Sequence, residues 1–156
     1  MPTPTPVRTS IIGNLKTALA GITVAGGYLT TVRAVLEGLQ PQGEQPSPFV
    51  LVWQPEPETY VEISSSKVER TLALEVSGVL ECQEGAGSGP RAEAEKLLAD
   101  MEKAILADRT RGGYATDTQL TRNQVFDAEP GLPWVQVSLG VRIKYRTNRT
   151  DPFTAS

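Results

Sequence analysis

WVQVSLGVRIKYRT, residues 134–147, decides how this chain folds. Val135, Val137, Leu139, Val141, Ile143 and Tyr145 share one parity, and Gln136, Ser138, Gly140, Arg142, Lys144 and Arg146 share the other. Side chains of an extended backbone point alternately to its two sides. The run therefore predicts a long β-strand with one face for a core and the other for water or a partner. Just upstream, Glu129-Pro130-Gly131-Leu132-Pro133 reads as a turn, and residues 119–128 read as a strand, so the two strands form an antiparallel hairpin.

A second long strand is expected over residues 68–82. Leu72, Leu74, Val76, Leu80 and Cys82 lie on one parity and Thr71, Glu75, Ser77 and Glu81 on the other, with a bend at Gly78. A strand this long projects beyond a compact core. FVLVW, residues 49–53, is apolar on both parities between Pro48 and Pro55, as suits a short strand covered on both sides. Residues 28–36 are rich in β-branched side chains and predict another strand. Residues 40–48, polar and proline-bearing, predict a loop, and residues 55–66, with prolines, acids and a serine run, predict a loop or an irregular excursion whose membership of the sheet the sequence leaves open.

Two helices complete the pattern. Thr5-Pro6 offers an N-cap and a first-turn proline, after which Val7, Ile11, Leu15 and Leu19 recur at helical spacing up to Gly21. Pro90 opens a second helix, with Ala94, Leu97, Leu98, Met101, Ala104 and Ile105 as its apolar stripe and Glu93, Lys96, Asp100 and Lys103 opposite. Arg109 and Arg111 follow its C-terminal end, where positive charge suits the helix dipole, and Gly112-Gly113 stop it. The expectation is an α+β fold, an antiparallel or mixed sheet of about five strands with two helices packed on one face. It divides into a flexible proline-rich arm (residues 1–6), a single domain (7–147) and a C-terminal tail (148–156).

Composition narrows the function. The 156 residues are 39% hydrophobic and 21% charged, with a net charge of −3. That balance lacks the positive field of a phosphate-backbone binder, so no sequence-specific nucleic acid is expected. No run of eighteen apolar residues and no signal segment is present, so no membrane partner is expected, and the site of synthesis is the cytoplasm. The chain has no histidine, which removes histidine-based triads and histidine metal sites. Cys82 is the sole cysteine and excludes an intramolecular disulfide.

The remaining motifs are thin. Ser64-Ser65-Ser66-Lys67 has the spacing of a serine nucleophile with a lysine base, but sits in a polar loop without the accompanying motifs. The glycine-rich residues 85–89 lie between a strand and a helix as in a dinucleotide-binding turn, but Pro90 replaces the third glycine and no βαβ repeat surrounds them. Glu56, Glu58 and Glu62 are spaced by prolines and fix no common geometry. Cys82 falls on the apolar parity of its strand as a small buried hydrophobe, and the sequon Asn148-Arg149-Thr150 has no secretory signal to expose it. No catalytic residue, cofactor or metal is expected.

The basic series Arg142, Lys144, Arg146 and Arg149 lines the outer parity and the end of the closing strand. Solvated charge is the simple reading, and contact with an acidic face of a neighbouring subunit is the functional one. Across nearly the whole chain the organisation resembles the tail terminator and tail-completion (minor tail) proteins of long-tailed bacteriophages. The resemblance rests on ITVAGGYLT (22–30), PFVLVW (48–53), LALEVSGVL (72–80), AEAEKLLADMEKAIL (92–106), GGYA (112–115) and VRIKYRTNRTDP (141–152). It implies a non-enzymatic virion protein at the head-proximal end of the tail, assembled in the host cytoplasm. Its partners would be its own copies in a hexameric ring, the tail tube protein and the head–tail connector protein. The candidate partner interface is Arg142, Lys144, Arg146, Arg149, Glu58, Tyr60, Arg109 and Arg111. Alternatives are a connector adaptor or tube-type protein of the same virion, or a small cytoplasmic α+β enzyme or ligand-binding module.

Overall fold

The computed structural model describes residues 3–38, 44–81, 89–127 and 133–156. Helices α1 (Val7–Ala20) and α2 (Pro90–Leu106) accompany strands β1 (Ala34–Glu37), β2 (Phe49–Trp53), β3 (Thr59–Glu62), β4 (Lys67–Glu81), β5 (Asp117–Phe126), β6 (Trp134–Asn148) and β7 (Asp151–Ala155). The sheet order is β1-β2-β4-β6-β5, with β3 added to β4 and β7 to β6. β1 and β2 are parallel and the other pairs antiparallel. The fold is α+β with a mixed sheet, as expected, and has seven strands among the described residues where about five were expected.

Alternation on β6 holds along its length: Val135, Val137, Leu139, Val141, Ile143 and Tyr145 are all buried. β4 pairs with it residue for residue, from Lys67 opposite Asn148 to Glu81 opposite Trp134, so Leu72, Leu74, Val76 and Leu80 fall on the same side. The stripes of α1 and α2 close over that side in one cluster. The ladder passes Gly78 without a shift in register, and the glycine serves packing instead. A Cβ there would lie 2.8 Å from Leu97 Cδ2 and 2.9 Å from both Met101 Sδ and Val137 Cγ2, so its absence lets α2 press onto the sheet.

Several local expectations are revised. Pro6 is the N-cap of α1, and its carbonyl accepts the N–H of Ser10, one position earlier than a first-turn proline. The strand expected over 28–36 is confined to β1. The backbone before it is held by Asp100, whose carboxylate accepts from Leu29 N (3.0 Å), Thr30 N (2.7 Å) and Thr30 Oγ1 (2.6 Å). Asp100 is therefore buried beneath the 28–30 segment, not on the solvent side of α2. The 55–66 loop contains β3, which pairs with β4 from Thr59 opposite Thr71 to Glu62 opposite Val68. Within residues 148–156 the chain reverses at residues 149–150 and returns as β7 along β6, and Asp151 accepts from Phe153 N (2.9 Å) and Thr154 Oγ1 (2.6 Å) in the irregular stretch between the Asn148–Asp151 and Thr147–Ala155 pairs.

Met1 and Pro2 of the proline arm, part of the expected 40–48 loop, Cys82, most of the glycine-rich residues 85–89, residue 128 of the expected strand and residues 129–132 of the expected turn lie outside the described residues. Residues 3–6 precede α1 without regular structure and are exposed. Among the described residues no helix is long and apolar enough to cross a membrane, and no cluster of three metal-ligating side chains occurs.

Candidate partner interface

The side of the sheet away from the helices is set by the register. Paired residues share a face, so the odd positions of β2 and β4 lie beside the even positions of β6, and on β5 beside odd positions before its bulge and even positions after it. Along the β4–β6 ribbon this face changes character. At one end Phe49, Val79, Phe126 and Trp134 come together, with Phe49 and Trp134 edge to face at 6.5 Å between ring centroids. Phe126 and Trp134 are 41% and 43% exposed, too open for core side chains of their size. In the middle, Glu75 accepts from Ser138 Oγ (2.7 Å) and pairs with Arg122 (2.8 Å). Arg122 reaches Glu75 because β5 bulges between Leu120 and Arg122 opposite Gly140, where a Cβ would meet Thr121 Oγ1 at 2.4 Å.

The other end is basic. Arg142 is exposed and Lys144 half-buried, and among the described residues neither has an ion pair or side-chain hydrogen bond. Their cross-strand neighbours on β4 are Ala73 and Thr71, which offer no counter-charge. Arg146 pairs with Glu69 at 3.2 Å. Arg109 pairs with Asp117 at 2.8 Å, and Asp117 is the register partner of Lys144, so Arg109 flanks the same patch. Arg149 lies beyond it in the β6–β7 turn and pairs with Glu62 at 3.0 Å. The structure thus brings Arg142, Lys144, Arg146 and Arg109 together.

Three other expected interface residues have different surroundings. The Glu58 side chain is 5% exposed; it accepts from the Tyr145 hydroxyl and lies 3.6 Å from Arg70. Burial, and next the Glu58 hydrogen bond, push the Tyr145 phenol well above its ordinary range. Arg70 in turn donates to Thr147 Oγ1 (3.1 Å) and sits 4.8 Å over the Tyr60 ring. Glu58 is therefore an internal anchor, whereas Tyr60 remains 60% exposed on β3. Arg111 is fully buried with φ 49° and donates to the carbonyls of Ile105 and Asp108. It caps the C-terminal end of α2 and is withdrawn from the surface. Burial lowers its pKa and Asp108 opposes that shift.

The aromatic end of the open face was not singled out from sequence. Its signal was present: Trp134 and Phe126 interrupt positions that are otherwise polar on their strands. What the alternation could not convey is that β2, which precedes Trp134 by 85 residues, brings Phe49 edge to face with it.

No family model and no curated protein matches the chain. A solved chain titled "Virion of native gene transfer agent (GTA) particle" is similar to it at 13% identity with a TM-score of 0.47, over 91% of this chain and 96% of that one.

Proposed function

We propose that this protein is a structural component of a long-tailed phage virion, a non-enzymatic subunit that caps the head-proximal end of the tail tube as a hexameric ring. In that role it ends tube polymerisation and offers a surface to the head–tail connector. The observation that supports an assembly role is the open face of the β4–β6 ribbon, where Arg142 and Lys144 make no ion pair among the described residues and the carboxylate opposite Lys144, Asp117, is engaged by Arg109. Charges so placed steer and orient an acidic partner surface. The resemblance of sequence organisation supports the tail-terminator form of that role.

Negative-stain class averages and native mass spectrometry of the purified protein with tail tubes test it. Six-fold rings seated on tube ends are expected, and Arg142→Glu with Lys144→Glu abolishes tube capping while leaving the fold intact by circular dichroism. In the phage, deletion of the gene yields tails of abnormal length that do not join heads. A protein that stays monomeric and ignores tail tubes, or normal virions from the deletion, overturns the reading.

A further inference from the structure

A groove of about 340 Å³ runs between α1 and the residues leading into β1, lined by Lys16, Thr17, Ala20, Arg33, Ala34 and Val35. Its lining comes from α1 and from residues at and just before β1, and the edge of β1 away from β2 has no strand partner among the described residues. Lys16 reaches Glu37 at 3.0 Å, while the Arg33 side chain has no partner among the described residues. Among the described residues the outer edge of β3 also has no strand partner. All four of its residues are exposed, Tyr60 and Val61 each by 60%, and it carries neither lysine nor proline, the usual guards of an unpaired strand.

Both edges face the same way. β6 occupies one side of β4 along its whole length; on the other, β2 covers residues 75–79 and β3 covers residues 68–71. That side is therefore stepped, two strands wide where β1 lies outside β2 and one strand wide at β3. We propose that two copies of this chain associate through this stepped edge, β3 of each adding antiparallel to β1 of the other beside the α1 groove. A two-fold axis perpendicular to the sheet sets the wide step of one copy against the narrow step of its mate. Three strands then separate the two β4 strands at both levels, and each contact is made twice, as an isologous interface requires. β1, β2 and β3 all run against β4, so the rotation makes β1 and the incoming β3 antiparallel.

Side-chain phase and charge agree with this. Val35 pairs in register with Val50 on the helix side, and Tyr60 and Glu62 pair with Arg70 and Val68 on that same side. One register sets Glu62 of one copy opposite Arg33 of the other, Tyr60 opposite Val35, and Val61 opposite Ala34 on the open face. The acid enters a groove rimmed by Lys16 and Arg33, and its present partner Arg149 is an exposed surface pair that yields readily. The interface leaves Arg142, Lys144 and the β5 edge uncovered, so it stands independently of the ring.

The test is disulfide trapping in a Cys82→Ser background that carries both Ala34→Cys and Val61→Cys, together with light scattering on charge variants. The expected result is an intermolecular disulfide that forms under mild oxidation and yields a covalent dimer, absent with either cysteine alone. Arg33→Glu is expected to weaken dimerisation by about tenfold or more, with recovery when Glu62→Lys is added. Circular dichroism confirms that the variants fold. A folded parent that stays monomeric at high concentration, or an oligomer that neither cross-links nor responds to the charge exchange, overturns the pairing. Six-fold rings lacking the cross-link would overturn it and leave the ring standing, and a cross-linked pair that never caps tubes would do the reverse.

Discussion

Replacing Asp100 by alanine removes the acceptor of three donors, Leu29 N, Thr30 N and Thr30 Oγ1, at a buried position. Hydrogen bonds to a charged acceptor contribute about 1.5–3 kcal/mol each, and the freed N–H groups can reach water once the segment lifts, so a loss of about 2–3 kcal/mol is expected. Urea unfolding measures it, and faster hydrogen exchange at Leu29 and Thr30 locates it; an unchanged midpoint would remove the clamp. Sequence spacing placed Asp100 among the solvent-side charges of α2 because its donors, two backbone N–H groups and one hydroxyl, are 70 and 71 residues away and leave no local pattern. Asp108 provides a pH-dependent counterpart. Its carboxyl is held below the usual carboxylate range chiefly by the Gly112 N–H, with further bonds from Thr110. Such a group stabilises fully above its unfolded pKa of about 4, and the contribution is lost as pH falls through the lower folded value. The Gly112 amide signal should therefore titrate with a midpoint below about 4; a midpoint at or above that value would contradict it.

Elements with long, regular alternation were legible, and short ones were not. β4, β6 and α2 each repeat their pattern over many residues, so one irregular position does not hide the period. β3 spans four residues between a proline-rich approach and a serine turn, and its TYVE is too brief to outweigh Pro55, Pro57 and three glutamates. What makes it a strand is tertiary: Glu58, Tyr145, Arg70 and Thr147 form the joint that lays it on β4. Glu58→Ala would leave the half-buried Arg70 guanidinium and the buried Tyr145 hydroxyl without their acceptor. Breaking one member of a buried pair costs about 3 kcal/mol or more where burial is complete, and somewhat less is expected here because Arg70 retains Thr147. Thermal unfolding and exchange at residues 59–62 report it. A variant with wild-type stability and a protected β3 would show that the joint contributes nothing. The site was only partly legible for the same reason. Arg142, Lys144 and Arg146 follow from strand parity, whereas the burial of Glu58 and Arg111 depends on contacts that parity does not specify.

The whole molecule is a two-sided sheet that covers one side with its own helices, while the other side is buried around Phe49, Leu51, Ser77 and Ser138 and exposed at Trp134 and Arg142. The helix side binds the subunit into one cluster, and the open side grades from aromatic to basic along the ribbon. Such a gradient gives an approaching surface a direction as well as a place to bind, because only one alignment matches both ends. β6 is also the strand on which β4, β5 and β7 are laid, and β4 meets it only through residues 134–148. During synthesis β4 and both helices therefore emerge with an apolar side that nothing closes until β6 has left the ribosome. Stalled nascent chains that stop before Trp134 should be digested rapidly by protease and held by chaperones, whereas chains carrying residues 134–148 beyond the tunnel should become resistant. Early resistance would show that the helices and β4 close without it. The subunit thus gains its shape in one late step, and its translation is an interval of exposure that the host's folding machinery must cover.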